Sequence, residues 1–181
     1  SQPIYDLAPN THQQKAGTPT MGGIVFVSTT LIATILSAKL NNFYVIGAIL
    51  LIGMFSYIGI KDDLSKILTN KNSAGLSAKM KLIYQFLASF VVVMILLFAD
   101  HTTTLYAPFL KHPILDMHYF AIIFWLLVLI ASSNAVNLTD GLDGLATVPS
   151  IVSFFTLSLL VYITGNAIIS GYLLMPNIKT T

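Results

Sequence analysis

The 181-residue chain contains no cysteine, no arginine and no glutamate. Without cysteine there are no disulfides, no thiolate metal sites and no cysteine nucleophile. Charge of either sign is scarce: nine lysines and seven aspartates make up 9% of the chain, against roughly a quarter in a soluble domain. A net charge of +2 is too small to suggest a nucleic-acid partner, which requires several phosphates to be neutralised together. What the chain has instead is apolar surface, 55% of its residues, with a mean hydropathy of +0.80. One aqueous core of this length cannot bury so much, so the surface must lie in a lipid bilayer. The expected class is all-α: a polytopic integral membrane protein, with residues 1–181 forming a single, partial membrane domain.

A bilayer core about 30 Å thick takes about 20 apolar residues of helix, with tolerance down to about 17. Stretches free of charge then mark five spans, at 22–38, 43–60, 82–99, 119–133 and 148–164. Pro149 suits the first turn of the last of these. The apolar piece from Ala167 to Met175 is too short to cross and is expected to be interfacial or re-entrant. Alternation places segments 1–21, 61–81 and 134–147 on one face. That face carries Lys15, Lys61, Lys66, Lys71, Lys79 and Lys81, six of the nine lysines. The excess of positive charge makes it cytoplasmic. No signal peptide is expected, because residues 1–20 lack an apolar stretch before a small-residue cleavage site.

The three cytoplasmic segments hold the residues suited to chemistry. HQQKAGTPTMGG joins Lys15 to a run of glycine, proline and threonine that cannot be helical, with Thr20 just before the first span. Its backbone can approach a ligand closely and its lysine suits phosphate, although a helix-entry turn with Lys15 among headgroups fits equally. At the end of the second span, Asp62 and Asp63 repel one another and lose hydration, so a cation should offset them. Magnesium, which takes one or two carboxylates plus water and phosphate oxygens, is one candidate. Lys61 or Lys66 in an interfacial salt bridge is the other. The third segment, NAVNLTDGLDGLA, places Asn134, Asn137, Asp140 and Asp143 at intervals of three. If the helix continues, the first three lie along adjoining turns of one side until Gly141 and Gly144 break it. Irregular polar structure at membrane depth is tolerated only inside protein or along a cavity. Together the segments suggest a cytoplasmic-face site for a phosphorylated substrate.

KAGTPTMGG, GIKDD and NAVNLTDGLDGLA, in this order and on this topology, resemble the phospho-N-acetylmuramoyl-pentapeptide transferase (MraY, translocase I) family, a branch of the polyprenyl-phosphate sugar-1-phosphate transferases. The resemblance extends over essentially the whole chain. It implies a ten-helix, magnesium-dependent enzyme of the bacterial inner membrane, a homodimer with its active site on the cytoplasmic face. The implied reaction moves phospho-N-acetylmuramoyl-pentapeptide from UDP-MurNAc-pentapeptide to undecaprenyl phosphate, giving lipid I and UMP for peptidoglycan biosynthesis. Carried over by motif, Asp62 is the candidate base, with Asp63 and Asp140 as further catalytic carboxylates. Asp62 and Asp63 are the candidate metal ligands. Lys15, Thr20, Lys66, Lys79, Asn134, Asn137 and Asp143 are the substrate-binding candidates. A direct transfer and a two-step route through a phospho-aspartate use the same residues.

The family's Phe-Met-Gly-Asp motif, with a magnesium-binding aspartate, and its later histidine cluster are both absent. Against a ten-helix family the chain corresponds to helices two through six. It is therefore expected to be a fragment with no transferase activity alone, an expectation that measurable turnover by the purified chain would refute. Two alternatives remain. A sister transferase would use another N-acetylhexosamine donor, and a cation-coupled transporter would use intramembrane aspartates for ion passage. Clustering of the acids at one face, beside lysines, counts against the transporter.

Overall fold

A computed structural model describes residues 22–69, 75–99, 102–106, 112–140, 145–173, 175 and 177. The chain divides into two units, Ser1–His101 and Thr102–Thr181. The first contains helices α1 (Gly22–Ser37), α2 (Phe43–Thr69) and α3 (Ala78–Phe98). The second contains strands β1 (Thr104–Leu105) and β2 (Leu115–Asp116), then α4 (Phe120–Thr139), α5 (Thr147–Gly165) and α6 (Ala167–Tyr172). Helices α2 to α5 are each long and apolar enough to cross a membrane, and α1 is a shorter apolar helix of 16 residues. The fold is that of an all-α polytopic membrane protein.

Two helices continue well past the ends of the uncharged stretches. Helix α2 runs nine residues beyond Ile60, to Thr69. The segment KDDLSKILT contains neither glycine nor proline, and Asp62 and Lys66 form an i,i+4 pair on it, the spacing that supports a helix from its surface. Helix α4 likewise runs through Asn134 and Asn137 to Thr139, before Gly141. Helix α3 begins earlier than its apolar stretch because Ser77 caps it, its hydroxyl accepting from the Met80 amide at 3.3 Å. Pro149 falls in the first turn of α5, where its missing N–H costs no intrahelical bond.

In the first unit α2 packs on both α1 and α3. The buried stripe of α3 is Gln85, Ala88, Ser89, Val92 and Val93, a helical i, i+3/i+4 repeat. Gly47 lies across from it, its closest approach being to Val92. Lipid tails are as apolar as side chains, so such an interface holds by close packing of small residues and not by a hydrophobic drive. Helix α1 is rich in hydroxyls, and the helix satisfies them itself: Ser28, Thr29, Thr30, Thr34 and Ser37 each donate to the carbonyl four residues back, at 2.7–2.8 Å. Its less exposed positions, Val27, Leu31 and Thr34, fall on one stripe.

In the second unit the strands pair antiparallel, with Thr104 opposite Asp116 and Leu105 opposite Leu115. This hairpin was not evident in the sequence of the 100–118 segment. Helix α5 carries no charge and only 6% of its spanning window is buried, so lipid or further helices must cover its apolar surface. The piece after it forms the short helix α6. Asn166 caps α6 through bonds from the Ile168 and Ile169 amides at 3.0 and 3.1 Å. Asn177 ties back to the Thr164 carbonyl at 3.0 Å and to the buried Ser170 hydroxyl at 3.1 Å.

Two substitutions on α3 test this packing. Ala88 is 5% exposed, so Ala88→Leu should overpack the interface and cost about 1–3 kcal/mol. The buried Ser89 hydroxyl has no hydrogen-bond partner among the described residues, so Ser89→Ala should be neutral or stabilising, because no bond is lost with it. Thermal unfolding of the detergent-solubilised full-length protein measures both. A destabilised Ser89→Ala protein would contradict the interface.

Candidate active site

The polar end of α2 gathers the charges of the first unit. Successive helical residues point about 100° apart, so Lys61, Asp62 and Asp63 face three directions. Asp62 faces its own helix one turn on, where Lys66 Nζ lies 2.6 Å from Oδ2. Its other oxygen, Oδ1, accepts from the Leu76 amide at 2.7 Å, where the chain turns toward α3. Burial opposes the charged form of Asp62, but the Lys66 hydrogen bond, the Leu76 amide and the charges of Lys66 and Lys81 outweigh it and hold the carboxyl below its ordinary value of 3.8.

Lys66 also reaches Asp63, at 3.8 Å, and so lies between the two carboxylates. The side chains of Asp62, Lys66 and Asp63 are 14%, 24% and 43% exposed, which makes the pair a half-buried one. Asp63 closes one end of a pocket of about 170 Å³ between α1 and α2, otherwise lined by Gly23, Ile24, Val27, Ser56, Gly59 and Ile60. Lys61 serves neither aspartate: its Nζ sits 4.9 Å from the centre of the Tyr84 ring and 3.4 Å from its hydroxyl. Of the two lysines open to the role of counter-charge, Lys66 fills it. Lys79 is exposed, whereas the half-buried Lys81 is the lysine of α3 whose charge acts on Asp62.

In the second unit Asn134 and Asn137 lie on the last turns of α4 and Asp140 is its C-cap. Asn134 is half-buried and donates to the Ile130 carbonyl at 2.8 Å, whereas Asn137 and Asp140 are exposed. Away from this cluster, Asp116 on β2 accepts from the Thr103 hydroxyl and the His118 amide, which hold its carboxyl below the ordinary value. Lys15, Thr20 and Asp143 lie outside the described residues. The sequence reading missed Tyr84 and the Gly75–Leu76 turn as partners of the α2 charges. The glycine in NSAGLS is the one signal that marked a close approach there.

No group of three or more His, Cys, Asp or Glu side chains converges among the described residues. The donor set at Asp62 and Asp63 nevertheless fits magnesium, which takes one or two carboxylates and completes its shell with water and phosphate oxygens. That Lys66 bridges both carboxylates marks the same point as one that requires positive charge.

An apolar helical scaffold with acid and lysine side chains gathered at a helix end defines a polytopic membrane protein. Residues 43–177 match the family model described as glycosyl transferase family 4, and the chain belongs to that family. Residues 15–27 match phospho-N-acetylmuramoyl-pentapeptide-transferase signature 1. Proteins named phospho-N-acetylmuramoyl-pentapeptide-transferase are similar along nearly the whole chain. The one from Aliarcobacter butzleri is 60% identical over 99% of this chain, and those from Sulfurimonas denitrificans and Nitratiruptor sp. are 56% and 55% identical over 98% of it. The chain spans about half the length of these curated relatives, 51%, 51% and 50% respectively.

Removing the bridging charge should be felt between the limits for exposed and buried pairs. Lys66→Met is expected to cost about 1–2 kcal/mol at neutral pH. Because the Asp62 carboxyl is held low, this contribution is present above 3.8 and is lost as pH falls below that value and the folded carboxyl takes up its proton. Unfolding midpoints of the two proteins across pH should therefore converge on the acid side, and a gap independent of pH would remove the ion pair.

Proposed function

We propose that the protein to which this chain contributes transfers phospho-N-acetylmuramoyl-pentapeptide from UDP-MurNAc-pentapeptide to undecaprenyl phosphate, forming lipid I and releasing UMP. The observation that carries the reading is the identity of 60% with a protein so named, running through all three motif-bearing segments, together with the signature match over residues 15–27. An oxygen of the lipid phosphate attacks the phosphorus that bears the sugar. The bond from that phosphorus to the UMP oxygen breaks, and UMP leaves with the displaced charge. All reactants are anionic, so catalysis consists mainly of charge neutralisation and in-line placement.

Asp62 is assigned the role of base toward the lipid phosphate, since its two oxygens retain acceptor capacity beyond the bonds to Lys66 and Leu76. The same carboxylate suits the phospho-enzyme route, in which it attacks first and the lipid phosphate resolves the intermediate. Asp63 flanks it and Asp140 is the third carboxylate. Lys66, Lys79, Lys15 and Thr20 bind phosphate oxygens, and Asn134, Asn137 and Asp143 bind the nucleotide end. Magnesium, when bound, neutralises the diphosphate, and Asp62 and Asp63 would hold it. The site lies on the cytoplasmic face of the inner membrane, the placement that six of nine lysines favour. Homodimerisation belongs to the same proposal and rests on the family resemblance.

Asp62→Asn in the full-length protein should reduce turnover at least about a hundredfold while the protein remains folded. Release of UMP on adding undecaprenyl phosphate measures it, and near-normal rates would remove Asp62 from the chemistry. Turnover should also disappear with a magnesium chelator and return with the ion. Preference for a UDP-N-acetylhexosamine without the peptide would instead assign the sister activity.

A further inference from the structure

Residues 75–77 pass over the Asp62–Lys66 pair with no space to spare. A Cβ built on Gly75 would lie 2.5 Å from Asp62 Oδ1 and 2.6 Å from Lys66 Cε, distances that side-chain carbons do not adopt. The next amide, that of Leu76, donates to the same Oδ1 at 2.7 Å, and Ser77 then caps α3. The turn is thereby anchored on α3 while its backbone touches the carboxylate of α2. Lys66 holds Oδ2 from the other side. An aspartate side chain has two rotatable bonds, and contacts at both oxygens leave it one orientation.

We propose that Gly75 and the Leu76 amide are positioning residues that fix the Asp62 carboxylate for transfer. The inference rests on the assignment of Asp62 as the reacting carboxylate. Glycine is required because any side chain at position 75 would take the volume that Oδ1 occupies. The clashing atoms are the ends of flexible side chains and not backbone, so a methyl group there displaces the carboxylate and the lysine and leaves the turn folded. A displacement of about 1 Å is enough to cost about a hundredfold in rate.

The test uses the full-length protein. Gly75→Ala should lower kcat about a hundredfold with the KM for the nucleotide donor within about twofold, whereas Leu76→Ala, which keeps the amide, should stay near wild type. Adding Gly75→Ala to Asp62→Asn should slow the enzyme no further, because the carboxylate it positions is already gone. Normal kcat in Gly75→Ala, a change confined to KM, or additive losses in the double variant would each overturn the proposal. A second measurement is independent of turnover: Gly75→Ala should lower the thermal midpoint, and Asp62→Ala, which removes Oδ1, should relieve most of that drop. If Gly75→Ala fails to accumulate in membranes, the same Asp62→Ala change should restore it, and failure to do so would refute the contact. Wild-type protein without transferase activity would overturn the functional reading, whereas the midpoint coupling would still report the contact.

Discussion

Hydrocarbon offers no hydrogen-bond partner, and this constraint governs the chain from its backbone to its few charges. Every peptide group within the bilayer must be satisfied inside its own segment, so the apolar stretches become helices. The hydroxyls of α1 obey the same rule by turning back onto its own carbonyls. Charged groups are confined to places where water, another side chain or a ligand can compensate them. An aspartate pair beside lipid therefore arrives with its own counter-charge, and the half-buried Asp62–Lys66–Asp63 array is that compensation in covalently supplied form.

The array also explains how such a site can be charged before substrate arrives. Lys66 on the same helix favours the ionised form of Asp62, and the amide of Leu76 adds a dipole that favours the same state. Lys66 is held in place by both aspartates, so this positive group is already ordered at the helix end. Preorganisation of this kind lowers the reorganisation needed during the reaction.

The long apolar helices were legible because charge is absent along each stretch. The helix ends were not, since charge marks where lipid stops and helix stops only where a breaker or a cap appears. That is why α2 passes Ile60 to reach Thr69, and why α4 carries Asn134 and Asn137 on its last turns. Asp62, Asp63 and the two lysines could be singled out from sequence, which left Lys61 and Lys66 open as partners; the structure pairs Lys66, because i,i+4 residues share a side of the helix while neighbours do not. The contribution of Lys81 depends on how α3 is rotated against α2, which no local pattern encodes. Gly75 lies thirteen residues from Asp62, and its closeness follows from the path of the connecting turn.

The hydroxyl-rich α1 has a mechanical consequence. A carbonyl shared between an amide and a serine or threonine hydroxyl binds the amide less firmly, and helices with such sharing bend more readily. Five carbonyl acceptors of this kind within 16 residues make α1 a compliant rod beside the longer α2. The α1 wall of the pocket that Asp63 lines is therefore one that bends readily. Bending there leaves the α2–α3 packing that carries the Asp62 contacts untouched, because α1 meets α2 on its own contact.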